Sequence, residues 1–165
     1  MASVSADPHN ATDTLANEVS ALRDATIKKR RAAATSLGKS GNSAAIPFLV
    51  EALGDVHPGV RTDVIQALGR LGDSSAVPAL ITTLADPDPG VRAAAIAALG
   101  KIKDRDAVIP LIRCLRDNEI MIRTGAAEVL GKMGDRRATG PLKLLLKDTF
   151  SQVREAAEAA IRRLE

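Results

Sequence analysis

Apolar residues recur every three or four positions along most of the chain, in short segments that come in pairs separated by turn-forming residues. The first segment of one pair carries Val91, Ala95, Ala98, Leu99 and Ile102. The second segment of the preceding pair carries Val77, Leu80, Ile81 and Leu84. This spacing is typical of amphipathic α-helices, and no segment shows the strict alternation of a half-buried strand. The pattern therefore predicts paired helices and an all-α chain.

Residues that favour helix ends lie at the borders of these segments. Asp88 is a candidate cap for the segment that contains Val91, with Pro89 at its first helical position, where a missing N–H costs nothing. We expect that helix to end at Gly100 or just after Ile102, and Asp73 or Asp104 to cap the helices that follow.

The pairs repeat every 31 residues without gaps. Five arginines keep this step: Arg30, Arg61, Arg92, Arg123 and Arg154. Five aspartates keep it too: Asp24, Asp55, Asp86, Asp117 and Asp148. A helical pair of this size cannot bury its apolar face alone, so units of fixed period stack on one another. The repeat predicts an α-α superhelix, or solenoid, of about nine or ten helices.

The phase of the repeat predicts the organisation of the chain. We expect a disordered tail over residues 1–13 and one repeat domain over residues 14–165. That domain divides into an N-terminal half-unit 14–26, full units at about 27–57, 58–88, 89–119 and 120–150, and a C-terminal helix over 151–165.

The unit that runs from Val91-Arg92 through Ala98-Leu99-Gly100-Lys101 to Asp104 resembles the HEAT-like repeat of phycobilisome (PBS) lyase subunits. The resemblance covers roughly residues 15–165 and implies a HEAT-like solenoid. In that family similar repeats occur in lyase subunits, degradation factors, hydroxylases and adaptors. The resemblance therefore implies a bilin or a phycobiliprotein as one possible partner.

Composition and charge narrow the possible functions. Apolar residues make up 45% of the chain but include two Phe and neither Trp nor Tyr, as suits closely stacked helices. The formal charge of +3 does not require a nucleic acid or a membrane surface. Residues 101–147 hold eleven basic and six acidic side chains, yet they lack the aromatic platforms of a nucleic-acid site. We therefore expect neither a nucleic acid nor a membrane as the partner.

Features of the termini and the cysteine content indicate location. No apolar stretch approaches the roughly 20 residues that span a bilayer. The first residues lack the basic and apolar regions of a secretory signal. A single cysteine, Cys114, excludes an internal disulfide and fits a reducing compartment, so we expect a cytoplasmic protein.

Candidate catalytic groups do not form a recognisable constellation. Gly38-Lys39-Ser40 lacks the earlier glycine and the preceding strand of a phosphate-binding loop. The two histidines are His9 and His57, and His57 aligns with the capping residue Asp88. We expect no catalytic residue, no metal and no cofactor, and hence a protein that is not an enzyme.

The repeated arginines and aspartates are interpreted as a structural ladder, since a catalytic site would need only one copy. We expect Asp55 to pair with Arg61, and Asp86 with Arg92, across the turn between units. Cys114 is open to two interpretations. It is either a small buried residue or a reactive thiol whose pKa is lowered by Arg113 and Arg116.

Solenoids bind partners along an extended concave surface, which in HEAT-type folds is lined by the second helix of each unit. Positions opposite the apolar stripe of these helices should project from it. The candidate partner-binding residues are Phe48, Glu51, Ser75, Ala79, Thr82, Arg105, Arg113, Arg136, Arg137 and Leu144. We expect Phe48 and Leu144 to anchor the partner and the arginines to select acidic groups. Alternatively, Phe48 packs on a neighbouring helix and Leu144 is an isolated surface residue.

The sequence thus favours a protein-interaction module, such as an adaptor, scaffold or assembly factor, that binds another protein. A subunit or relative of a bilin lyase or phycobilisome-processing factor is the alternative that rests on resemblance. Nucleic-acid binding is a third. The partner itself and the oligomeric state are not encoded in any motif.

Overall fold

The computed structural model describes the backbone of residues 8–165 and the side chains of residues 13–165. This part of the chain forms ten α-helices and no strand. The helices are α1 (Pro8–Ala21), α2 (Ile27–Ser40), α3 (Ile46–Ala52), α4 (Pro58–Leu71), α5 (Val77–Thr82), α6 (Pro89–Ile102), α7 (Val108–Cys114), α8 (Ile120–Met133), α9 (Thr139–Leu145) and α10 (Ser151–Leu164). The predicted all-α solenoid of nine or ten helices is confirmed for the described residues.

Long and short helices alternate in two layers. The first helices of the units, α2, α4, α6, α8 and α10, have 14 residues each, and every one of them packs on the next. The second helices, α3, α5, α7 and α9, have six or seven residues and pack against the first helix that follows. Helix α1 packs against α2 in the same way.

The core is a continuous line of small and branched apolar side chains that runs through both layers. Leu37, Leu68, Leu99 and Leu130 hold the same place in successive first helices and are fully buried. The residue after each of these leucines is a glycine, and it lets neighbouring first helices approach closely. A Cβ on Gly38 would lie only 2.6 Å from the Cα of Ala67. The repeated Ala-Leu-Gly sequence therefore encodes close helix packing.

Gly100 belongs to this packing series, so the expectation that α6 ends there is wrong and the expectation of an end after Ile102 is right. A Cβ on Gly100 would approach the Val129 side chain to 2.9 Å. The helix continues to Ile102, and its C-cap is Lys103 in the left-handed region with φ 59°. In α4 the equivalent C-cap is Gly72, with φ 70°.

The N-terminal caps use short polar side chains. Asp88 accepts a hydrogen bond from the Val91 N–H, and Pro89 opens α6. Asp73 and Asp104 accept from the N–H groups of Ser75 and Asp106, and so they cap the 3-10 turns that lead into α5 and α7. His57, which holds the place of Asp88 in the preceding unit, accepts from the Gly59 N–H through Nδ1.

The predicted tail over residues 1–13 differs from the structure in part. Residues 1–7 lie outside the described residues, whereas residues 8–13 belong to α1, which begins at Pro8. Leu15, Val19 and Leu22 pack α1 onto the core. No described helix is long and apolar enough to cross a membrane.

Candidate functional site

The repeated arginines and aspartates form four rungs, one within each full unit. In each rung an arginine donates through Nε and Nη2 to both carboxylate oxygens of the aspartate 25 residues further on. The four Nε–Oδ2 distances are 2.6 Å for Arg30–Asp55, 2.8 Å for Arg61–Asp86, 3.0 Å for Arg92–Asp117 and 2.8 Å for Arg123–Asp148. These are short charge-assisted bonds in the fork geometry that favours arginine.

The expected pairing of Asp55 with Arg61 and of Asp86 with Arg92 is therefore wrong in its geometry. Arg61 does reach Asp55, but its Nη1 donates to the backbone oxygen of Asp55, at 2.8 Å. The Asp55 carboxylate is turned away because its Oδ1 accepts from the His57 N–H at 2.8 Å. The carboxylate binds Arg30 instead, so each rung lies within one unit, and the bond from Arg61 to the Asp55 backbone oxygen joins that unit to the next.

The rungs are largely shielded from solvent, with arginine and aspartate side chains only 9–15% exposed. Burial acts to raise the pKa of Asp86, but hydrogen bonds from Arg61 and from the Asp88 N–H outweigh it and lower the pKa. The ladder ends at Arg154, which contacts only the backbone oxygens of Asp148 and Thr149 among the described residues. In each of the four complete rungs the arginine makes four hydrogen bonds within the protein, two to the carboxylate and two to backbone oxygens.

We call the exposed side of the short helices and of the turns before them the second-helix face. All ten candidate residues lie on it. Ala79 is half-buried, and the other nine are exposed: Phe48, Glu51, Ser75, Thr82, Arg105, Arg113, Arg136, Arg137 and Leu144. The structure brings Phe48 and Glu51 together near α1, and Arg113 and Leu144 together between α7 and α9. The two expected anchors, Phe48 and Leu144, thus line separate cavities.

Phe48 is 38% exposed and lines a cleft of about 480 Å³ together with Leu15 and Val19 of α1. The alternative interpretation, in which Phe48 packs on a neighbouring helix, therefore accounts for part of its surface. Beside it, both carboxylate oxygens of Glu51 accept from Nη2 of Arg23, at 2.8 and 3.0 Å. The acidic residue at this end of the face is thus already paired.

Helices α7 and α9 enclose a second cavity of about 510 Å³, which we call the α7–α9 groove. Its apolar surface comes from Ile112, Pro141 and Leu144, and its rim carries Arg113, Arg116 and Lys147. Leu144 is 64% exposed. The three cationic side chains are exposed and make no hydrogen bond or ion pair with another described residue. Together these groups present an apolar surface bordered by unpaired positive charge.

Three of the expected basic residues differ in their availability. Arg137 donates to both carboxylate oxygens of Asp135, at 2.8 and 2.9 Å, and to the Arg105 backbone oxygen. Hydrogen bonds from the Arg137 side chain and N–H lower the pKa of Asp135 to about 2. Arg105 and Arg136 lie exposed on the turns before α7 and α9. Arg137 is thus oriented by Asp135, whereas Arg105 and Arg136 have no such partner among the described residues.

Cys114 is buried at the end of α7, and its Sγ lies 3.6 Å from the Pro110 backbone oxygen. Burial raises the pKa of the thiol to about 11, so the thiol form persists at neutral pH. Arg113 and Arg116 point to solvent and do not activate it. These features favour the interpretation as a small buried residue over that of a reactive thiol. Within the described residues, no group of three or more His, Cys, Asp or Glu could hold a metal.

Sequence reasoning missed Arg116, Lys147 and Ile112 as groove residues. A signal for two of them was present, because Arg116 and Lys147 are one repeat apart, at a position that Arg23, Gly54 and Ala85 hold in the earlier part of the chain.

Two layers of helices with a fixed 31-residue period, tied by a buried ladder, define an α-solenoid of short helical repeats. The chain belongs to the HEAT-repeat family: the family model for HEAT repeats matches residues 17–89 and 77–162. No curated protein is significantly similar to the chain in sequence.

Two solved structures illustrate the similarity. One is the complex of CpcE and CpcF of phycocyanin lyase from Nostoc sp. PCC7120, with 29% identity, a TM-score of 0.79, and coverage of 99% of this chain and 68% of that one. The other is a designed armadillo repeat protein in complex with the peptide (KR)4. It has 18% identity, a TM-score of 0.70, and coverage of 94% of this chain and 84% of that one, and it supports the fold alone. Both findings agree with an α-solenoid fold, and the first agrees with a lyase-type HEAT-like repeat.

Proposed function

We propose that this protein is a non-catalytic interaction module, an adaptor, scaffold or assembly factor, that binds a partner protein on the second-helix face. One observation carries the proposal. The exposed residues of this face change chemistry from unit to unit, from Glu51 through Thr82 to Arg113 and Leu144, while core and ladder positions repeat. Stability does not require that variation, whereas recognition of one particular partner does.

Related architectures support a protein partner. The similar lyase structure is itself a complex of two protein chains, and the designed armadillo repeat protein is complexed with a peptide. The solenoid shape offers an extended surface on which a partner chain can lie. The buried thiol of Cys114 suits a reducing compartment, and we place the protein in the cytoplasm.

Affinity capture from a lysate of the native cells tests the proposal, with bound proteins quantified by mass spectrometry. Arg113→Glu and Phe48→Ala should each remove the same captured partner. Lys132→Glu is the matched control, because it makes the same charge change at an exposed position of first helix α8. Equal capture by the Arg113→Glu, Phe48→Ala and control variants would show that the second-helix face is not the binding surface.

A second candidate function follows from the similarity to the phycocyanin lyase complex over nearly the whole chain. In that case the protein would be a subunit or relative of a bilin lyase or of a phycobilisome-processing factor. Mixing it with a bilin and an apo-phycobiliprotein should then change the absorbance of the bilin over time. An unchanged spectrum, with the partner still captured, favours the adaptor.

A further inference from the structure

We propose that the α7–α9 groove binds an acidic segment of the partner protein, with an apolar side chain of that segment seated against Ile112, Pro141 and Leu144. This inference rests on the proposed function and specifies the chemistry of the partner. It places the acidic part of the partner at the end of the second-helix face formed by α7 and α9, and not at the end near α1, because the two ends differ in charge.

The groove is large enough to receive side chains. Its volume of about 510 Å³ falls within the range of small-ligand pockets, roughly 300–1,000 Å³. Leu115 and Leu145, which also line it, are buried and hold the floor in place. Leu144 is 64% exposed, although the preceding units carry polar residues at the same repeat position. An apolar partner side chain over Leu144 would remove this surface from water.

The rim selects for negative charge. Arg113 lies on α7, Arg116 in the turn after α7 and Lys147 in the turn after α9, and all three line the groove. Asp148 also lines the groove, but Arg123 already binds both of its carboxylate oxygens, at 2.8 and 3.2 Å. The rim therefore keeps a local excess of positive charge. A carboxylate arriving there relieves the repulsion between like charges and gains charge-assisted hydrogen bonds.

The opposite end of the face differs in a way that fixes the position of the acidic segment. There, Glu51 and Arg23 satisfy each other, and the exposed apolar surface is that of Phe48. The repeat position that holds Arg116 and Lys147 in the later units holds Gly54 and Ala85 in the units before them, and its cation in the N-terminal half-unit is the paired Arg23. Unpaired cations that border an apolar groove thus occur at α7 and α9, and acidic residues of the partner should lie there.

A nucleic acid would also be attracted by three cations, but the groove offers no other group that would bind it. No aromatic residue lines the groove, so bases have no stacking platform. The apolar surface around Leu144 would contribute nothing to phosphate binding. A peptide that carries both carboxylates and an apolar side chain uses every part of the site.

The test measures binding of fluorescein-labelled peptides to the full chain by fluorescence anisotropy. One acidic peptide has a central Leu, and its control differs only by Ser at that place. We expect the Leu peptide to bind about tenfold more tightly, as for burial of one apolar side chain. Binding should weaken as salt rises, because the carboxylates meet an exposed basic rim.

Variants assign the binding to the groove. Arg113→Glu should weaken the Leu peptide about tenfold or more, since one attractive charge becomes repulsive. Leu144→Ser should abolish the preference for Leu over Ser. The matched controls on α8 are Lys132→Glu for charge and Met121→Ser for an exposed apolar side chain, and both should leave the affinity unchanged.

Three results would overturn the inference. The acidic peptides show no measurable binding, the Leu and Ser peptides bind with equal affinity, or the α7–α9 variants and the α8 variants lose the same amount of peptide affinity. Displacement of the peptide by a single-stranded oligonucleotide of equal charge at equal concentration would assign the groove to nucleic acid instead. If the peptides fail while Arg113→Glu and Phe48→Ala still abolish partner capture, only this specificity is wrong. If capture also persists in those variants, the proposed function fails as well.

Discussion

At the scale of single residues, the aspartate at the end of each unit has two tasks. Asp117 accepts from the Glu119 N–H at 2.9 Å, which shapes the turn, and both of its oxygens bind Arg92 at the start of the same unit. Asp24 keeps the turn bond, to the Thr26 N–H, but its side-chain partner is the exposed Lys29 at 3.2 Å. The same residue in the same repeat position therefore shapes the turn in both places but forms a rung in only one.

Removing a rung should cost much more than removing the terminal aspartate. We expect Asp117→Ala to lower the free energy of unfolding by about 2 kcal/mol, because Arg92 is then left shielded and unpaired. Asp24→Ala, which removes the same side chain without breaking a rung, should cost clearly less. Urea unfolding followed by circular dichroism measures both. Equal losses for the two variants would mean that the rung adds nothing beyond the turn.

Lys103 is the one described non-glycine residue with positive φ, and it holds the place that Gly72 holds in the preceding unit. Lys103→Gly should raise the free energy of unfolding by about 0.5–1 kcal/mol, because glycine adopts this conformation without a steric penalty. Gly72→Lys is the reciprocal variant and should lower it. The melting temperatures of the two variants should move in opposite directions; a shift of both in the same direction would rule out this explanation.

At the scale of helices, the close approach of the first helices depends on where glycines lie. Helix α8 contains two glycines in different surroundings. A Cβ on Gly131 would lie 2.7 Å from the Cα of Ala160 in α10, whereas a Cβ on Gly125 would meet nothing closer than Ile96 Cγ2 at 4.0 Å. The first glycine is required by packing, and the second is not.

Alanine at these two positions should therefore have opposite effects. We expect Gly131→Ala to destabilise the protein by about 1–3 kcal/mol, because α8 and α10 must separate. Gly125→Ala should stabilise it by about 0.5–1 kcal/mol, since alanine favours helix and space is available. Chemical unfolding of both variants decides the matter. Stabilisation by Gly131→Ala would show that the helices do not approach as closely as described.

The helices themselves follow from local sequence signals, whereas several of their contacts do not. The apolar period and the turn residues predicted the all-α stack, and Asp88 with Pro89 marked the start of α6. The partner of Asp55 was wrongly predicted, because Arg30 lies 25 residues away and the turn bond to His57 decides which way the carboxylate faces. Gly100 was ambiguous for a related reason: a glycine near a helix end and a glycine at a packing contact look alike in sequence.

The candidate site was predictable to the extent that it follows from repeat position. The ten residues were placed on the second helices and their preceding turns from the helical step, and all lie on that side of the structure. Their pairing could not be predicted in the same way. Arg23 with Glu51 and Arg137 with Asp135 depend on side-chain geometry in three dimensions, and the α7–α9 groove depends on how two successive units stack.

At the scale of the whole molecule, the ladder makes stability depend on pH in acid. Burial acts to raise the pKa of Asp86 and Asp117, but hydrogen bonds from Arg61 and Arg92 outweigh it and leave both pKa values lowered. A lowered pKa in the folded state means that the unfolded state takes up protons first as the pH falls. The contribution of the rungs is therefore complete above the ordinary aspartate pKa of about 3.9 and is lost progressively below it.

We accordingly expect the midpoint of urea unfolding to change little between about pH 6 and pH 8 and to fall between about pH 5 and pH 2. Asp117→Ala should have a lower midpoint at neutral pH. Its midpoint should fall less on acidification than that of the unchanged protein, because the variant has one fewer rung carboxylate to protonate. Parallel acid profiles for the two proteins would show that the rung does not contribute to the pH dependence.

The central claim is that the face that varies between repeats is the face that binds. Site-specific photo-crosslinking tests it most directly: a photoreactive amino acid is placed at Leu144 on α9 or, in a second protein, at Lys132 on α8, and each is irradiated with the captured partner. The account predicts a covalent adduct with the partner from position 144 and little or none from position 132. Crosslinking from position 132 without crosslinking from position 144 would contradict it.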